Sequence, residues 1–167
     1  MAHDPLELAR ALVDDGVVDA LQIAYRRDGA VTAAQFGACT GDSRFALASL
    51  TKPLIAMACL AACDEGVLEL DGPLAEHVPE AVAQTTLREL LSHASGLPAD
   101  DAAARRVQLD PASTWLEVAA AYARMSAEVP ARTRRIYSNA GYALAALMLE
   151  RAAAMPYGDY VRAAVLE

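Results

Sequence analysis

The sequence predicts an α+β fold that is mostly helical, with one β-hairpin near its start. Hydrophobic residues make up 55% of the 167 residues, yet aromatic residues make up only 5%, because alanine supplies much of the apolar fraction. This mixture favours helices over a β-sandwich. The length allows one domain with a substantial core. We expect that domain to have a helix and hairpin portion at 1–45 and a helical portion at 46–167.

The first segments predict one helix and one hairpin. Asp4 is expected to be the N-cap of an amphipathic helix over 4–15. Alternating residues then predict strands at 21–26 and 31–36, with Asp28-Gly29 as the turn between them. A lone hairpin is only marginally stable in water, and its free edges invite pairing. We therefore predict that the hairpin belongs to an antiparallel sheet that this sequence leaves incomplete.

The rest of the sequence predicts helices joined by short loops. One helix is expected to begin near Ser49 and to end near Asp64. Because it is apolar on every side from Pro53 to Cys63, we expect it to be buried all round. Further helices are predicted at about 85–93, 110–125, 140–154 and 157–167, with an irregular stretch at 67–79.

Charge and composition narrow the classes of partner. The net charge of −8 and the pI near 4.8 argue against nucleic acid and against anionic membranes. No apolar run reaches the roughly 18 residues that a membrane-spanning helix needs. The start of the sequence lacks the apolar run of a signal peptide. Three cysteines therefore predict reduced thiols in a cytoplasmic protein, and their spacing does not form a zinc site, so we expect no metal and no cofactor.

The single lysine and the single asparagine of the sequence both lie in short polar motifs. Lys52 follows Ser49 by three residues, and Asn139 closes the triplet that begins at Tyr137, whereas the other 13 basic residues are all arginine. Arginine keeps its proton in proteins, but a buried lysine can lose it. The use of lysine at this one position suggests a need for an amine that can be neutral.

These residue types suit nucleophilic catalysis. A serine hydroxyl needs a base to take its proton, and a spacing of three places Ser49 and Lys52 on one face of a helix. The helix start offers backbone N–H groups for an oxyanion, and with its apolar surroundings it disfavours a charged Lys52. Tyr137 could be a second acid or base, because a cation close to a phenol stabilises the phenolate. The amide of Asn139 can hold a substrate carbonyl or orient the lysine.

Each motif also has a structural interpretation. Lys52 could be a solvated residue at a surface helix start, and Ser138 or Asn139 could simply cap the next helix. His93 could be a general base, but its place in the last turn of a helix favours a structural role in which it bonds free carbonyls. A basic loop could attract an anionic substrate, although a solvated loop is the favoured interpretation; its cations are Arg132, Arg134 and Arg135.

Three motifs in this order resemble the serine β-lactamase and penicillin-binding-protein superfamily, and most of all its class C-like branch, with the class C β-lactamases, family VIII esterases and DD-peptidases. They are Phe45-Ala46-Leu47-Ala48-Ser49-Leu50-Thr51-Lys52, Leu90-Leu91-Ser92-His93-Ala94-Ser95-Gly96-Leu97-Pro98 and Tyr137-Ser138-Asn139-Ala140-Gly141-Tyr142.

The resemblance implies a β-lactamase-like fold, in which an antiparallel sheet with flanking helices lies beside a helical region. It implies that Ser49 is the acylated nucleophile, that Lys52 and Tyr137 share proton transfer, and that Asn139 binds the substrate. The histidine motif would be a structural turn. A third motif of the family, Lys-Thr-Gly or His-x-Gly, is absent from the sequence, because there is no second lysine and no histidine has a glycine two places later.

The expected function is therefore that of a serine hydrolase acting through an acyl-enzyme on a small-molecule ester, amide or lactam. Without the third motif we expect the isolated chain to turn over poorly. One alternative is a non-catalytic truncated homologue or subunit that binds a partner through its open sheet edge, as a homodimer or with a completing polypeptide. Another alternative is an acyltransferase that uses the same acyl-enzyme.

Overall fold

A computed structural model describes residues 4–99 and 101–167. The chain divides into two compact units, Met1–Leu47 and Ala48–Glu167. The mostly helical α+β class is confirmed. Its elements in chain order are α1 (Pro5–Asp14), β1 (Ala20–Arg27), β2 (Ala30–Gly37), a 3-10 turn (Ala48–Leu50), α2 (Thr51–Asp64), α3 (Leu74–His77), α4 (Leu87–Leu91), α5 (Ala102–Leu109), α6 (Trp115–Ala123), α7 (Asn139–Ala153), α8 (Tyr157–Val161) and a π turn (Arg162–Leu166).

The first unit consists of α1 and the hairpin. The carboxylate of Asp4 accepts a hydrogen bond from the Leu6 N–H at 3.0 Å, so the predicted N-cap is confirmed. The two antiparallel strands pair from Ala20 opposite Gly37 to Arg27 opposite Ala30. Their turn has Asp28 at φ 51° and Gly29 at φ 83°, which is the positive-φ geometry that Asp-Gly supplies in tight hairpins. The predicted hairpin and its turn are confirmed.

The second unit is built around α7. Its buried face packs against α2, α3, α4, α6 and α8. The facing side of α2 has small residues, Ala58, Cys59 and Ala62, all fully buried. Small side chains allow two helices to approach closely, so the starts of α2 and α7 are held near each other. This packing positions the polar residues at those two helix starts.

The expectation that α2 is buried all round is wrong. Met57 is 53% exposed and Leu60 is 45% exposed. The physical reason is that α7 and its neighbours cover only the side with Ile55, Ala58, Cys59 and Ala62. The opposite side of this apolar helix has no cover from the second unit.

Three further expectations about helices need correction. The helix predicted at 110–125 begins at Trp115, because Thr114 and Glu117 form a capping box that fixes its start. The preceding helix α5 was not predicted; the Asp101 carboxylate caps it by accepting from the N–H groups of Ala103 and Ala104. The stretch predicted to be irregular contains the short helix α3.

Candidate active site

Ser49 lies in the 3-10 turn directly before α2, close to the predicted helix start. The residue before it, Ala48, has φ 46°. The left-handed region costs a residue with a side chain roughly 1–2 kcal/mol. Such strain persists only where the surrounding packing imposes it, and it is common beside functional groups. The backbone at Ser49 is therefore held in a fixed, exposed turn.

The structure brings all four predicted site residues together. Tyr137 donates its hydroxyl hydrogen bond to the Ser49 Oγ atom at 2.6 Å. The Nζ atom of Lys52 donates to the same Oγ at 3.2 Å and to the Oδ1 atom of Asn139 at 2.7 Å. The two helix starts are 87 residues apart in sequence from Lys52 to Asn139. The solvated-lysine interpretation is therefore wrong, because the amine of Lys52 is held by two side chains.

The capping interpretation of the Tyr-Ser-Asn triplet is correct for one of its residues. Ser138 is fully buried, and its hydroxyl accepts from the Gly141 N–H at 3.4 Å as the N-cap of α7. Asn139 is the first residue of the helix, and its side chain contacts Lys52 instead of the helix backbone. Capping by Ser138 thus turns the neighbouring Asn139 towards the site.

His93 has the structural role that the sequence favoured, but through different partners. Its Nδ1 atom accepts from the Ser138 N–H at 3.1 Å, and its backbone carbonyl accepts from the Ile136 N–H at 2.9 Å. The expectation that the ring bonds free carbonyls is therefore wrong. Its ring lies 4.5 Å from the Tyr137 ring and 5.2 Å from the Tyr142 ring. His93 is thus a positioning residue for the triplet.

Burial and neighbouring charges favour a neutral His93, and neighbouring hydrogen-bond donors make Tyr137 easier to ionise than a free phenol. Burial lowers the pKa of His93, and the positive charges of Arg135 and Lys52 lower it further. A neutral ring keeps the Nδ1 lone pair that Ser138 needs. The pKa of Tyr137 is also lowered, first by the Lys52 amine and then by the Ser49 hydroxyl, both of which stabilise the phenolate.

Tyr142 is a residue of the site that was not predicted from the sequence. Its hydroxyl donates to the Leu91 carbonyl at 2.9 Å, and the Nζ atom of Lys52 lies 5.8 Å from its ring centroid. The same amine lies 4.8 Å from the Tyr137 ring. Two aromatic rings thus flank the amine. The available signal was the spacing of three residues from Asn139 to Tyr142, which places both on one side of α7.

The site opens into a cavity of about 490 Å³. That volume is within the range of small-molecule sites, roughly 300–1,000 Å³. The cavity lies entirely within the second unit and is lined mainly by aromatic and aliphatic side chains. Its lining residues are Ala48, Ser49, Thr51, Lys52, Ile55, Gln108, Trp115, Val118, Tyr122, Asn139, Tyr142, Ala143, Ala146 and Tyr157.

The other candidate residues have structural surroundings. In the basic loop, Arg132 forms an ion pair with the buried Glu89 at 2.6 Å, and Arg134 pairs with Glu128 at 3.2 Å, so these two cations are not simply solvated.

Burial raises the pKa of the Cys59 thiol to about 12. Among residues 4–99 and 101–167, no group of three His, Cys, Asp or Glu side chains could hold a metal ion. No helix within those ranges is long and apolar enough to span a bilayer.

Comparison with known proteins places this chain in the β-lactamase and penicillin-binding-protein class. The sequence pattern of the Beta-lactamase family matches residues 7–167, so the chain belongs to that family. The predicted resemblance and the β-lactamase-like fold are confirmed.

Three relatives show the range of the family around this chain. A penicillin-binding protein of Bacillus subtilis strain 168 is 29% identical over 133 residues, which are 74% of this chain and 28% of the relative. Esterase EstB of Burkholderia gladioli is 35% identical over 85 residues, or 46% of this chain and 22% of the esterase. The D-amino acid amidase of Ochrobactrum anthropi SV3, solved with D-phenylalanine, is 27% identical with a TM-score of 0.76, covering 98% of this chain and 50% of the amidase. The chain therefore spans a half or less of the length of these proteins.

Proposed function

We propose that this chain carries the nucleophilic part of a serine hydrolase that forms an acyl-enzyme at Ser49. The observation that carries the proposal is the position of the Ser49 Oγ atom, which lies 2.6 Å from the Tyr137 hydroxyl and 3.2 Å from the Lys52 amine. Each group can take up a proton in its deprotonated form, and both lie within the distance that general base catalysis requires. The same serine lines a cavity large enough for a small substrate.

The proposed reaction begins with loss of the Ser49 hydroxyl proton to the Lys52 and Tyr137 pair. In the resting arrangement Tyr137 donates to Ser49, so the phenol must first be ionised before the serine can donate along the same contact. The neighbouring amine favours that phenolate. Because Lys52 and Tyr137 titrate as a coupled pair, the base is the form of the pair that has lost one proton, either from the ammonium group or from the phenol.

The bond changes then follow the usual order for acyl transfer. The Oγ atom of Ser49 forms a bond to the acyl carbon, the bond from that carbon to the leaving group breaks, and the leaving group takes the proton held by the pair. A water molecule next attacks the ester carbon at Ser49 and gives a proton to the pair. Release of the acid returns that proton to the serine oxygen.

Oxyanion stabilisation is the weakest part of the proposed site. The Ser49 backbone N–H lies in the turn before α2, where backbone donors are free for an oxyanion. Asn139 uses its Oδ1 atom for Lys52, which leaves its amide hydrogens for a substrate carbonyl. Loss of one oxyanion donor costs about 2.7–4 kcal/mol of barrier. With no third motif in the sequence, we propose slow turnover for the isolated chain.

The proposed substrates are small-molecule esters, amides or lactams. The names of the relatives, an esterase, a penicillin-binding protein and a D-amino acid amidase, support this range of chemistry. We also propose a cytoplasmic location, supported by the free thiols of Cys39, Cys59 and Cys63; it favours small molecules over cell-wall peptides. An acyltransferase would use the same acyl-enzyme, and analysis of the products separates it from a hydrolase.

The hairpin supports a second candidate function, which is binding of a partner at the sheet edge. Among the described residues the sheet has two strands, so each strand has one free edge. Beside β1 lies an apolar groove of about 300 Å³ against α1, lined by residues such as Leu8, Leu12 and Ile23. Unpaired edges of this kind accept another strand. A second copy or a completing polypeptide would then be the partner, and light scattering would show a mass above that of one chain.

Intact mass measurement after treatment with a fluorophosphonate tests the hydrolase proposal. We expect one adduct per chain, located at Ser49, and no adduct in Ser49→Ala. Ser113 is not among the residues that line the cavity beside Ser49, and we expect it to stay unmodified. Labelling that is equal at both serines, or that survives Ser49→Ala, would contradict the proposal.

A further inference from the structure

The wall of the cavity beside Ser49 carries no acidic side chain in the part of the chain that the structure describes. Lys52 is the one charged residue among the fourteen that line the cavity. The protein as a whole has 22 acidic residues against 14 basic ones. Acidic residues are therefore common in the chain but excluded from this wall, which gives the cavity a different electrostatic character from the surface around it.

Part of the cavity wall is aromatic. The rings of Trp115 and Tyr157 lie 4.9 Å apart at an interplanar angle of 53°. Val118 and Ile55 add aliphatic surface to the same cavity. Tilted aromatic pairs with apolar neighbours accommodate a further ring by edge and face contacts. This part of the cavity therefore suits an aromatic or bulky apolar group.

The polar side chains of the aromatic wall offer hydrogen-bond donors. Gln108 uses its Oε1 atom to accept from the Tyr122 hydroxyl at 2.8 Å, so what its amide still offers is its N–H groups. A ligand with oxygen acceptors can use these N–H groups, whereas an ammonium group, which only donates, cannot.

We propose that the cavity selects an uncharged acyl group that carries an aromatic or bulky apolar side chain, and that it discriminates against a free α-ammonium group. This inference rests on the proposed function, because it identifies the cavity as the acyl site of Ser49. A charged group taken from water needs a partner of opposite charge, and among the described residues the cavity wall has only the amine of Lys52 as a charged group. The selected substrates are therefore N-acylated amino acid derivatives or simple aryl-alkyl acids, as esters or amides.

The test measures binding and does not require turnover. N-acetyl-phenylalaninamide and phenylalaninamide share a ring and an amide, and they differ at the α-nitrogen, which is charged in the second compound at pH 6, below the α-amino pKa of about 7.7–8.0. Trp115 is the single tryptophan of the chain and lines the cavity, so its fluorescence reports occupancy. Both enantiomers of each compound are titrated at pH 6 and pH 9.

We expect the N-acetyl compound to bind at least about tenfold more tightly at pH 6, a factor that corresponds to roughly 1.4 kcal/mol. The gap should narrow by pH 9, where the free amine has lost its charge. Equal binding of the two compounds at pH 6, a gap that is unchanged at pH 9, or no binding of either compound would overturn the inference. The fluorophosphonate adduct at Ser49 is scored separately, so a failure of the proposed function is recognised independently.

A variant tests the electrostatic cause. Gln108→Glu keeps an oxygen that can accept from Tyr122 and places one carboxylate in the cavity wall. We expect phenylalaninamide at pH 6 to gain about two- to fivefold in affinity, as for a partly exposed ion pair, while the N-acetyl compound gains nothing. Gln84→Glu adds the same charge outside the cavity and is the matched control. An equal gain in both variants would show that net charge, and not the cavity wall, sets the preference.

Discussion

Replacement of His93 tests how the triplet Tyr137-Ser138-Asn139 is held in place. The Nδ1 atom of His93 accepts from the N–H of Ser138, a residue with 0% exposure. In His93→Ala that donor loses its partner, and a buried unsatisfied donor costs about 1–3 kcal/mol. Loss of the ring contact with Tyr137, at 4.5 Å, adds about 0.5–1.5 kcal/mol. We therefore expect His93→Ala to lower the free energy of unfolding by about 1.5–4.5 kcal/mol.

His93→Asn is the matched variant. Its amide oxygen replaces the Nδ1 acceptor, and asparagine tolerates the φ of 60° found at this position better than alanine does. We expect it to lose only the ring contact, about 0.5–1.5 kcal/mol. Urea unfolding measures the free energy of unfolding of both variants. The two are compared with the same slope of that free energy against urea concentration. Labelling of Ser49 should also slow more in the alanine variant than in the asparagine variant. Loss of the hydrogen bond to Ser138 would displace that residue together with its neighbours Tyr137 and Asn139.

The reasoning is refuted if the two variants lose the same stability. Equal losses would mean that the hydrogen bond to Ser138 contributes nothing and that His93 acts through ring packing alone. Unchanged Ser49 labelling in a destabilised His93→Ala chain would likewise show that the residue supports the core but does not position Tyr137.

Other predictions concern strain, capping and pH. Ala48→Gly and Ala154→Gly both relieve a positive φ, 46° at Ala48 and 50° at Ala154, so each should raise the free energy of unfolding by up to about 1 kcal/mol. Only Ala48→Gly should slow the labelling of Ser49, because Ala48 precedes Ser49 in the turn. Equal effects of the two substitutions on labelling would contradict the role of the turn. Glu89→Gln should lose about 1–3 kcal/mol in urea unfolding, because Glu89 is buried and bonded to Thr85, Thr86 and Arg132; no loss would show that its charge is dispensable. Because the pKa of His93 is lowered below 6.5 in the folded state, the unfolded state binds the proton first, and the free energy of unfolding should fall as the pH drops below about 6.5. His93→Asn should flatten this part of the curve of unfolding free energy against pH. An unchanged slope in the variant would mean that His93 does not titrate as described.

Local sequence signals predicted the hairpin and the ends of several helices. Asp4, the Asp28-Gly29 turn and Ser138 act through hydrogen bonds or backbone angles within a few residues of themselves. Such features depend little on the rest of the chain. They could therefore be identified before any tertiary contact was known.

The start of α6 and the existence of α5 could not be predicted in the same way. Asp110-Pro111 is a plausible helix start, but the capping box of Thr114 with Glu117 determines the observed one. Two cap signals stood within a few residues, and local propensity does not rank them. The prediction that α2 is buried all round failed for a different reason. The exposure of Met57 and Leu60 depends on which elements pack against the helix, and local sequence does not specify them.

The site was predicted as a set of residues but not as a geometry. Spacing placed Ser49 near Lys52, and residue chemistry suggested roles for Tyr137 and Asn139, but the family resemblance was needed to assign all four residues to one site. The structure adds the contacts across 87 and 88 residues that join the two motifs. It also adds His93 as an acceptor for Ser138, because a histidine beside serines can bond carbonyls or N–H groups, and sequence alone does not choose.

The most direct test of the account is the rate of fluorophosphonate labelling at Ser49 in Lys52→Arg. Arginine keeps the positive charge at this position but does not give up its proton, so it cannot serve as a base. Because a positioned general base contributes about 10²–10⁴ in rate, we predict that labelling falls by at least about 10². Labelling of Lys52→Arg at the rate of the unaltered chain would contradict the claim that the amine of Lys52 takes part in removing the proton from Ser49.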